Sequence, residues 1–267
     1  MKKTLNLLMI TMLAFTGCSE DDAPGVVTPN TVQVTMPSEV KTFSGQNFQY
    51  EITSFWQYNG QQLVSTGDSN GNYREYTYDN NFIKTIKTYL ANGTLHSLET
   101  FVYNVDDQLT SSIITSSSTG EKHVYTHNTD NTISVTTYEG TNTVQDNVQS
   151  TGTITFQNGE VVKTETFYDD GVVRTNIFTY DDKKKPTANV QGFDKISFAY
   201  ANARERKGAL HNMLTDTQTY MMDEATVVER IYTYNAEGYP LTIFNDSPLS
   251  FERYKIEYTY ESYTIAL

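Results

Sequence analysis

The most constraining feature of this chain is a pair of aromatic or apolar residues, two positions apart, that recurs along most of its length. The pairs are Tyr76/Tyr78, Phe101/Tyr103, Tyr125/His127, Ile154/Phe156, Phe178/Tyr180, Phe198/Tyr200, Tyr232/Tyr234 and Tyr258/Tyr260. Side chains two positions apart on a strand point to the same face, and the intervening residue is usually Thr or Val, which suits the opposite face. The pattern therefore predicts a series of β-strands, each with an aromatic face.

Turn-forming residues follow most of the pairs. Residues 104–107 read Asn-Val-Asp-Asp and residues 235–238 read Asn-Ala-Glu-Gly, before an apolar residue opens the next strand. Asn, Asp and Gly tolerate the positive φ that tight hairpin connections require. Each repeat is thus a strand, a tight turn and a strand. The repeats predict an all-β fold, an extended antiparallel β-meander of hairpin repeats with roughly 12–16 strands, and leave open whether it curls toward a barrel.

Two stretches resemble known repeats. Tyr76-Thr77-Tyr78-Asp79 has the spacing of the YD (RHS-type) repeat. Residues 178–186, Phe-Thr-Tyr-Asp-Asp-Lys-Lys-Lys-Pro, resemble the YDDKKNP signature of an uncharacterised Bacteroidota-type surface lipoprotein family, which usually has Asn where this chain has Lys185. Residues 232–240 and 258–260 also resemble segments of that family. The resemblance covers roughly residues 50–265. It implies a sheet of β-hairpin repeats on a lipid anchor, and it carries no activity.

The N-terminus has the form of a bacterial export signal. Lys2 and Lys3 precede an apolar run over residues 4–17, which is shorter than the stretch of about 20 residues needed to span a bilayer. Residues 15–18, Phe-Thr-Gly-Cys, resemble a lipobox, so residues 1–17 are predicted to be a lipoprotein signal peptide and Cys18 the acylated residue. The alternative is an ordinary secreted protein that is cleaved elsewhere.

Residues 19–22, Ser-Glu-Asp-Asp, resemble the surface-export signal of Bacteroidota lipoproteins, although acidic residues could also simply begin a solvated tether. The following segment contains Pro24, Pro29 and Pro37. Residues 18–45 are therefore predicted to be a lipid anchor and flexible tether, and residues 46–267 a YD-repeat-like β domain. The predicted location is the outer membrane, with the domain facing the cell exterior.

Charge and cysteine content exclude several partners. The formal charge is −13 and the pI is about 4.7, so the chain repels phosphate backbones and nucleic acid is not expected as a partner. A single cysteine excludes a disulfide framework and a cysteine-based zinc site within one chain. A monomer is expected unless an exposed terminal strand pairs with a partner. Residues 201–225 break the strand pattern, and either a short helix or a long loop fits them.

No catalytic or cofactor motif is recognisable, and no cofactor or metal is predicted. His123 and His127 share a strand face by alternation, which favours a structural role over a metal site. The acidic pairs at residues 106–107, 169–170 and 181–182 fall where the repeat requires turns. Neighbouring residues on a strand point to opposite faces, so such a pair cannot by itself supply the facing carboxyl groups of a glycosidase.

Trp56 and Tyr58, near the start of the repeats, are the candidate ligand-binding residues, because exposed aromatic rings can stack on sugars. The leading hypothesis is a non-enzymatic, surface-displayed binding or scaffold module for a glycan or a partner membrane protein. The alternative is an extracellular polysaccharide-active hydrolase whose carboxylates converge from different repeats. A role in wrapping a partner, as in YD-repeat shells, rests on the analogy of fold alone.

Overall fold

A computed structural model describes residues 30–45, 47–199, 210–221, 224–245 and 253–266. The predicted signal peptide over residues 1–17 and the predicted acylation site Cys18 lie outside these ranges. Within them the chain forms seventeen β-strands and one short helix. They are β1 (Thr31–Ser44), β2 (Tyr50–Asn59), β3 (Gln62–Asp68), β4 (Tyr73–Asp79), β5 (Phe82–Tyr89), β6 (Leu95–Tyr103), β7 (Leu109–Thr115), β8 (Thr119–His127), β9 (Thr132–Thr141), β10 (Gln145–Gln157), β11 (Glu160–Tyr168), β12 (Val173–Lys184), α1 (Phe193–Ile196), β13 (His211–Tyr220), β14 (Thr226–Glu229), β15 (Ile231–Tyr234), β16 (Pro240–Asn245) and β17 (Tyr254–Ala266).

The strands form one antiparallel sheet that closes on itself. Each strand pairs with the next along the chain from β1 to β14 and again from β15 to β17, and β1 also pairs with β17. Only Arg230 separates β14 from β15, so these are two halves of one interrupted strand. The predicted antiparallel meander is confirmed, and the β1–β17 ladder closes it into an up-and-down barrel.

The predicted tether over residues 18–45 overlaps β1 and needs correction at its C-terminal end. β1 is paired with β17 from Thr31 to Ser44, and Met36 within it is completely buried. The prolines suggested a tether, but Pro37 stands at a register shift in the ladder. A β-bulge tolerates a residue that lacks an N–H group. The β domain therefore begins before residue 46.

The two faces of the barrel wall differ in polarity. Inward positions in one half of the barrel are apolar and form a continuous core that includes Leu63, Ile83 and Leu109. Outward positions carry threonine pairs such as Thr77–Thr85, whose hydroxyls are 2.6 Å apart. They also carry ion pairs along single strands: Lys41–Glu39, Lys163–Glu165 and Lys255–Glu257. Exposed apolar side chains such as Phe167, Ile177 and Ile231 lie among them, so the outer wall is mixed, whereas a barrel wall that faces lipid carries a continuous apolar band.

Aromatic or histidine side chains of the inner wall reach a backbone carbonyl of the preceding repeat: the second residue of five repeat pairs does so, and so do Tyr58 and Tyr232, the first residue of its pair. These contacts are Tyr58 Oη to Pro37 O (2.8 Å), Tyr78 Oη to Leu63 O (3.2 Å), Tyr103 Oη to Ile83 O (3.0 Å), His127 Nε2 to Leu109 O (2.9 Å), Tyr180 Oη to Val161 O (2.6 Å), Tyr232 Oη to Met213 O (2.8 Å) and Tyr260 Oη to Pro240 O (2.8 Å). Each accepting residue stands beside a register shift of its ladder. We call this series the tyrosine ring.

Residues 185–199 leave the wall after β12 and fill the apolar end of the barrel, and we call them the plug. The Phe193 ring lies 6.1 Å from that of Tyr76, and the Phe198 ring makes edge contacts with Tyr125, His127 and Phe156. Phe198 thus packs where the ring is interrupted, because Phe156 has no hydroxyl group. None of the helices in the described part of the chain is long and apolar enough to cross a membrane.

Two predictions about this region are wrong. The Phe198/Tyr200 pair does not mark a strand, since Phe198 follows α1 inside the barrel and Tyr200 lies outside the described residues. The range 201–225, predicted as a short helix or long loop, contains β13, and its residues 201–209 are not described. The chain leaves the wall earlier, at Lys185 after β12, and the repeat pattern does not indicate a break at this position.

Candidate functional site

The two ends of the barrel are built differently. At the closed end the tight turns of the repeat surround the plug, and hydrogen bonds fasten it to the wall. The Gln191 N–H donates to Gln61 O (2.9 Å), and Asn189 Nδ2 donates to Thr35 O (2.9 Å). At the opposite end, which we call the mouth, the inward side chains are polar or aromatic. The mouth is the candidate functional site because it combines concavity with converging polar groups.

The first recess of the mouth lies against β8 to β12 and has a volume of about 150 Å³. Its floor is formed by Tyr125 and by Phe198 of the plug. Polar side chains rise above this floor, namely Glu121, His123, Thr137, Ser150, Thr164, Thr166, Arg174 and Asn176. An aromatic floor below polar walls can hold a small hydroxylated molecule by ring contact and hydrogen bonds.

Glu121 and His123 form the most sharply defined pair in this recess. His123 Nε2 lies 2.7 Å from Glu121 Oε1, and its Nδ1 lies 3.1 Å from the Thr137 hydroxyl. The hydrogen bond to His123 lowers the pKa of the Glu121 carboxyl, and this effect outweighs the opposing effect of burial. Glu121 is therefore a carboxylate at neutral pH.

Two further carboxyl groups lie at the same level of the inner wall. Glu139 is the direct cross-strand partner of Glu121, and Glu99 is joined to Glu121 through Ile114 on the intervening strand. Cross-strand partners share a face of the sheet, so all of these side chains face the interior. Gln149 Nε2 donates a hydrogen bond to Glu139 Oε1.

A hydrogen-bonded chain on β12 and β13 holds Arg174 at the other side of the recess. Arg174 Nη2 donates to Gln218 Oε1 (3.1 Å), and Gln218 Nε2 donates to Asp216 Oδ2 (3.0 Å). Asn176 Nδ2 donates to the other oxygen of Asp216 (2.7 Å). Asp216 and Asn176 are both buried, so the chain fixes the Gln218 amide and with it one edge of the guanidinium.

The second recess lies against β2 to β6 and contains the predicted ligand-binding residue Trp56. Trp56, Thr66 and Arg74 are successive cross-strand partners, and the inward Tyr76 lies next to them. Tyr58 is not part of this recess. Its hydroxyl belongs to the tyrosine ring, and its ring lies 5.3 Å from that of Tyr263 in the closed half. The structure thus brings Trp56 to the mouth and Tyr58 to the core.

The acidic pairs take two roles. Asp107 has a φ of 62°, and Asp170 Oδ1 accepts from the Val172 N–H, so these pairs form turns as the repeat predicts. Asp181 differs because it lies within β12. It accepts hydrogen bonds from Asn212 and from the Tyr234 hydroxyl, and so it joins neighbouring parts of the wall where the chain turns into the plug.

Sequence reasoning missed most of the mouth residues, although the repeat contains a usable signal. Counting backwards in steps of two from the first aromatic of a pair keeps to the inner face. From Tyr76 this gives Arg74, and from Phe101 it gives Glu99. The same count gives His123 and Glu121 from Tyr125. It gives Asn176 and Arg174 from Phe178, and Arg230 from Tyr232. This count identifies candidate site residues only when it is already known that the inner face of the sheet encloses a cavity.

Comparison with known proteins identifies the fold. No family model matches the chain, and no curated protein matches it. The structure is similar to a porin-like protein from Bacteroides vulgatus ATCC 8482, with a TM-score of 0.52 and 15% identity over 85% of this chain and 99% of that one. A porin-like protein from Bacteroides uniformis ATCC 8492 gives a TM-score of 0.52 and 12% identity over 84% and 98% of the two chains. At such identities the likeness concerns the fold: the chain has the antiparallel barrel fold of these porin-like proteins.

Proposed function

We propose that this protein is a lipid-anchored outer-membrane protein that binds a glycan at the mouth of its barrel without catalysing a reaction. The observation that carries the proposal is the second recess, a concave wall lined by both Trp56 and Arg74, which lie two strands apart with Thr66 between them. An aromatic ring offers a flat apolar surface to a sugar, and neighbouring polar groups offer hydrogen bonds to its hydroxyls.

The direction of the strands supports display at the cell surface. β1 begins and β17 ends at the closed end, since Thr31 pairs with Ala266 and Thr35 bonds to the plug. Between Cys18 and β1 lie residues 19–30, which can span at most about 40 Å. An acylated Cys18 therefore draws the closed end toward the membrane and leaves the mouth facing outward.

The outer wall supports a barrel that stands beside the bilayer. Its ion pairs and threonine pairs suit water, so in this proposal the lipid alone provides attachment. The porin-like fold of the Bacteroides structures is compatible with this arrangement, since one barrel fold serves many functions.

A polysaccharide hydrolase is the second candidate, because Glu121 and Glu139 face each other across neighbouring strands. Cross-strand partners have Cβ atoms about 5 Å apart, a separation that a glycosidase pair can use. The hydrogen bond between His123 and Glu121 argues against it. It lowers the pKa of the Glu121 carboxyl, whereas a glycosidase needs one carboxyl group that stays protonated as general acid.

Affinity electrophoresis of residues 19–267 against a panel of polysaccharides tests the proposal, with reducing ends assayed in the same samples. We expect retardation without release of reducing ends, and weaker retardation for Trp56→Ala. The matched control is Phe55→Ala, which removes the neighbouring, outward-facing ring that is 51% exposed. Release of reducing ends would establish the hydrolase instead. No retardation by any polysaccharide would reject glycan binding and leave a partner membrane protein as the ligand to seek.

A further inference from the structure

The barrel sorts its two kinds of basic side chain between the faces of the wall. Arg74, Arg174 and Arg230 are inward, as their spacing from the buried Tyr76, Phe178 and Val228 shows. The strand lysines next to inward residues point outward, namely Lys41, Lys87, Lys122, Lys163 and Lys255. An ammonium and a guanidinium carry the same charge, so on the strands of the wall the sorting favours guanidinium geometry at the inner face, although Lys185 of the plug is also buried. Guanidinium offers a planar fork of donors that matches a carboxylate.

Arg230 is the most informative of the inward arginines. Its residue is 7% exposed, and its Nε donates to the Tyr254 hydroxyl at 2.9 Å. Its Nη1 is buried without a hydrogen-bond partner, and so is Oδ1 of Asn245, which is 2% exposed. The β15–β16 ladder pairs Ile231 with Phe244, which sets Arg230 opposite Asn245. A buried guanidinium with an unused donor is costly unless something accepts from it.

The carboxylates of the barrel interior do not accept hydrogen bonds from these unused guanidinium donors. Within the described ranges, no carboxylate oxygen forms an ion pair with Arg74, Arg174 or Arg230. Glu121 is engaged by His123, and Glu139 by Gln149. Asp216 is engaged by Asn176 and Gln218. Glu121, Glu139 and Asp216 therefore have donors of their own, whereas Arg174 is hydrogen-bonded through Nη2 to Gln218 and Arg230 leaves Nη1 without an acceptor.

From this imbalance we infer that the ligand of the mouth is an acidic glycan, whose uronate carboxylates are bound by Arg74 and Arg174, the inward arginines that line its two recesses. The inference rests on the proposed glycan binding and adds the substrate class. Gln218, Asp216 and Asn176 are positioning residues for Arg174. The net charge of −13 opposes the approach of a polyanion. Affinity for a uronate polymer must therefore come from these local groups and not from the charge of the whole protein.

The experiment is isothermal titration of residues 19–267 with oligogalacturonate and with the same oligomer fully methyl-esterified. Esterification removes the negative charge and leaves the sugar rings in place. We expect the acidic form to bind at least about tenfold more tightly, and Arg74→Gln to remove most of this difference, since one charge-assisted contact is worth at least that factor. Arg174→Gln tests the first recess, and Lys163→Gln on the outer wall is the control.

Arg74 and Arg174 are chosen because neither is buried, so the result does not depend on a buried substitution that could prevent folding. Equal binding of the two oligomers would overturn the role of the arginines while leaving glycan binding intact. Tight binding of the acidic form alone, unaffected by both substitutions, would also overturn it. Binding of neither oligomer, together with binding of a neutral polysaccharide, would reject the uronate class. Failure of every glycan would reject the proposed function itself.

Discussion

At the scale of single residues, the tyrosine hydroxyls support this fold in addition to the aromatic rings that carry them, because they donate to backbone carbonyls of the wall. A register shift leaves a wall carbonyl without its regular ladder partner, and the tyrosine of the next repeat donates to that carbonyl. An unsatisfied buried carbonyl costs free energy, so each hydroxyl removes a penalty that the bulge would otherwise impose. Phe156, which lacks a hydroxyl, stands where the plug packs against the wall instead.

Removing one hydroxyl of the tyrosine ring should therefore lower the free energy of unfolding. We expect Tyr103→Phe to lower the free energy of unfolding by about 1–3 kcal/mol, because the Ile83 carbonyl loses its donor. Urea unfolding measures the change. Tyr138→Phe is the control, since Tyr138 faces outward and pairs across the ladder with Lys122. Equal effects at both positions would show that the hydroxyl contact in the interior carries no special weight.

The tyrosine ring also predicts how the free energy of unfolding depends on pH. Burial raises the pKa of the Tyr58, Tyr78, Tyr103 and Tyr180 hydroxyls above their ordinary value of 10.0. Above about pH 10 the unfolded chain loses these protons while the folded chain keeps them. The free energy of unfolding should therefore fall steeply as the pH rises from 10 toward the folded pKa values.

Alkaline titration checks this expectation. Tyrosinate absorbance from the buried hydroxyls should appear together with the loss of β-sheet circular dichroism, as one cooperative step. If the full tyrosinate signal developed near pH 10 while the circular dichroism stayed unchanged, the interior hydroxyls would not be sealed from solvent.

At the scale of elements, the plug decides which end of the barrel is closed. Its entry into α1 depends on Gly192, which has a φ of 79°. A Cβ atom there would lie 3.1 Å from the Asn81 carbonyl oxygen and 3.1 Å from the Ile83 nitrogen. Both the backbone conformation and the close approach to β5 therefore favour glycine at this position.

Gly192→Ala should be more destabilising than a glycine substitution that meets only the backbone penalty. Gly93 supplies the comparison, because its φ is 81° and a Cβ there would meet nothing within 4 Å. We expect Gly93→Ala to cost about 1–2 kcal/mol and Gly192→Ala clearly more. Urea unfolding of both variants gives the difference. Equal losses in the free energy of unfolding would mean that the plug shifts away from β5 and accommodates the added Cβ atom.

The elements also show what the sequence could predict. Aromatic pairs two positions apart marked strands correctly wherever alternation continued through the pair, as at Tyr76 and Phe101. The same spacing failed at Phe198, because an apolar ring is equally needed by a plug inside the barrel. In the candidate site, Trp56 was predicted from its chemistry, and the structure places it in the second recess, where its role in binding stays a prediction. Glu121 and Arg174 were missed, because a single sequence does not show that the inner face of a meander encloses a cavity.

At the scale of the whole molecule, closure depends on a strand that looked like a tether. β1 pairs with β17 on one side and with β2 on the other, so it covers both edges that an open meander would expose. Unpaired edges invite association with other strands, and closure removes them. In the sequence, the prolines near β1 obscure its strand-forming β-branched residues. Their role becomes clear only from the pairing of β1 with β17, which is distant in the sequence.

Two truncated chains test this role. A chain that begins at residue 31 should fold cooperatively, because it keeps the whole of β1. A chain that begins at residue 46, the predicted domain boundary, should lose cooperative unfolding or associate through the freed edges of β2 and β17. Thermal unfolding and size-exclusion chromatography distinguish the two. A monomeric, cooperative chain from residue 46 would show that β1 is dispensable for closure.

The meeting of β1 and β17 at the closed end has a practical consequence for engineering. Because Thr31 and Ala266 are cross-strand partners, a short linker can join them, and new termini can be opened in an exposed turn such as the one at Gly93. Such a circular permutant would carry both of its termini at the mouth. A partner protein fused there would sit over the recesses, whereas one fused directly before β1 or after β17 would leave them open.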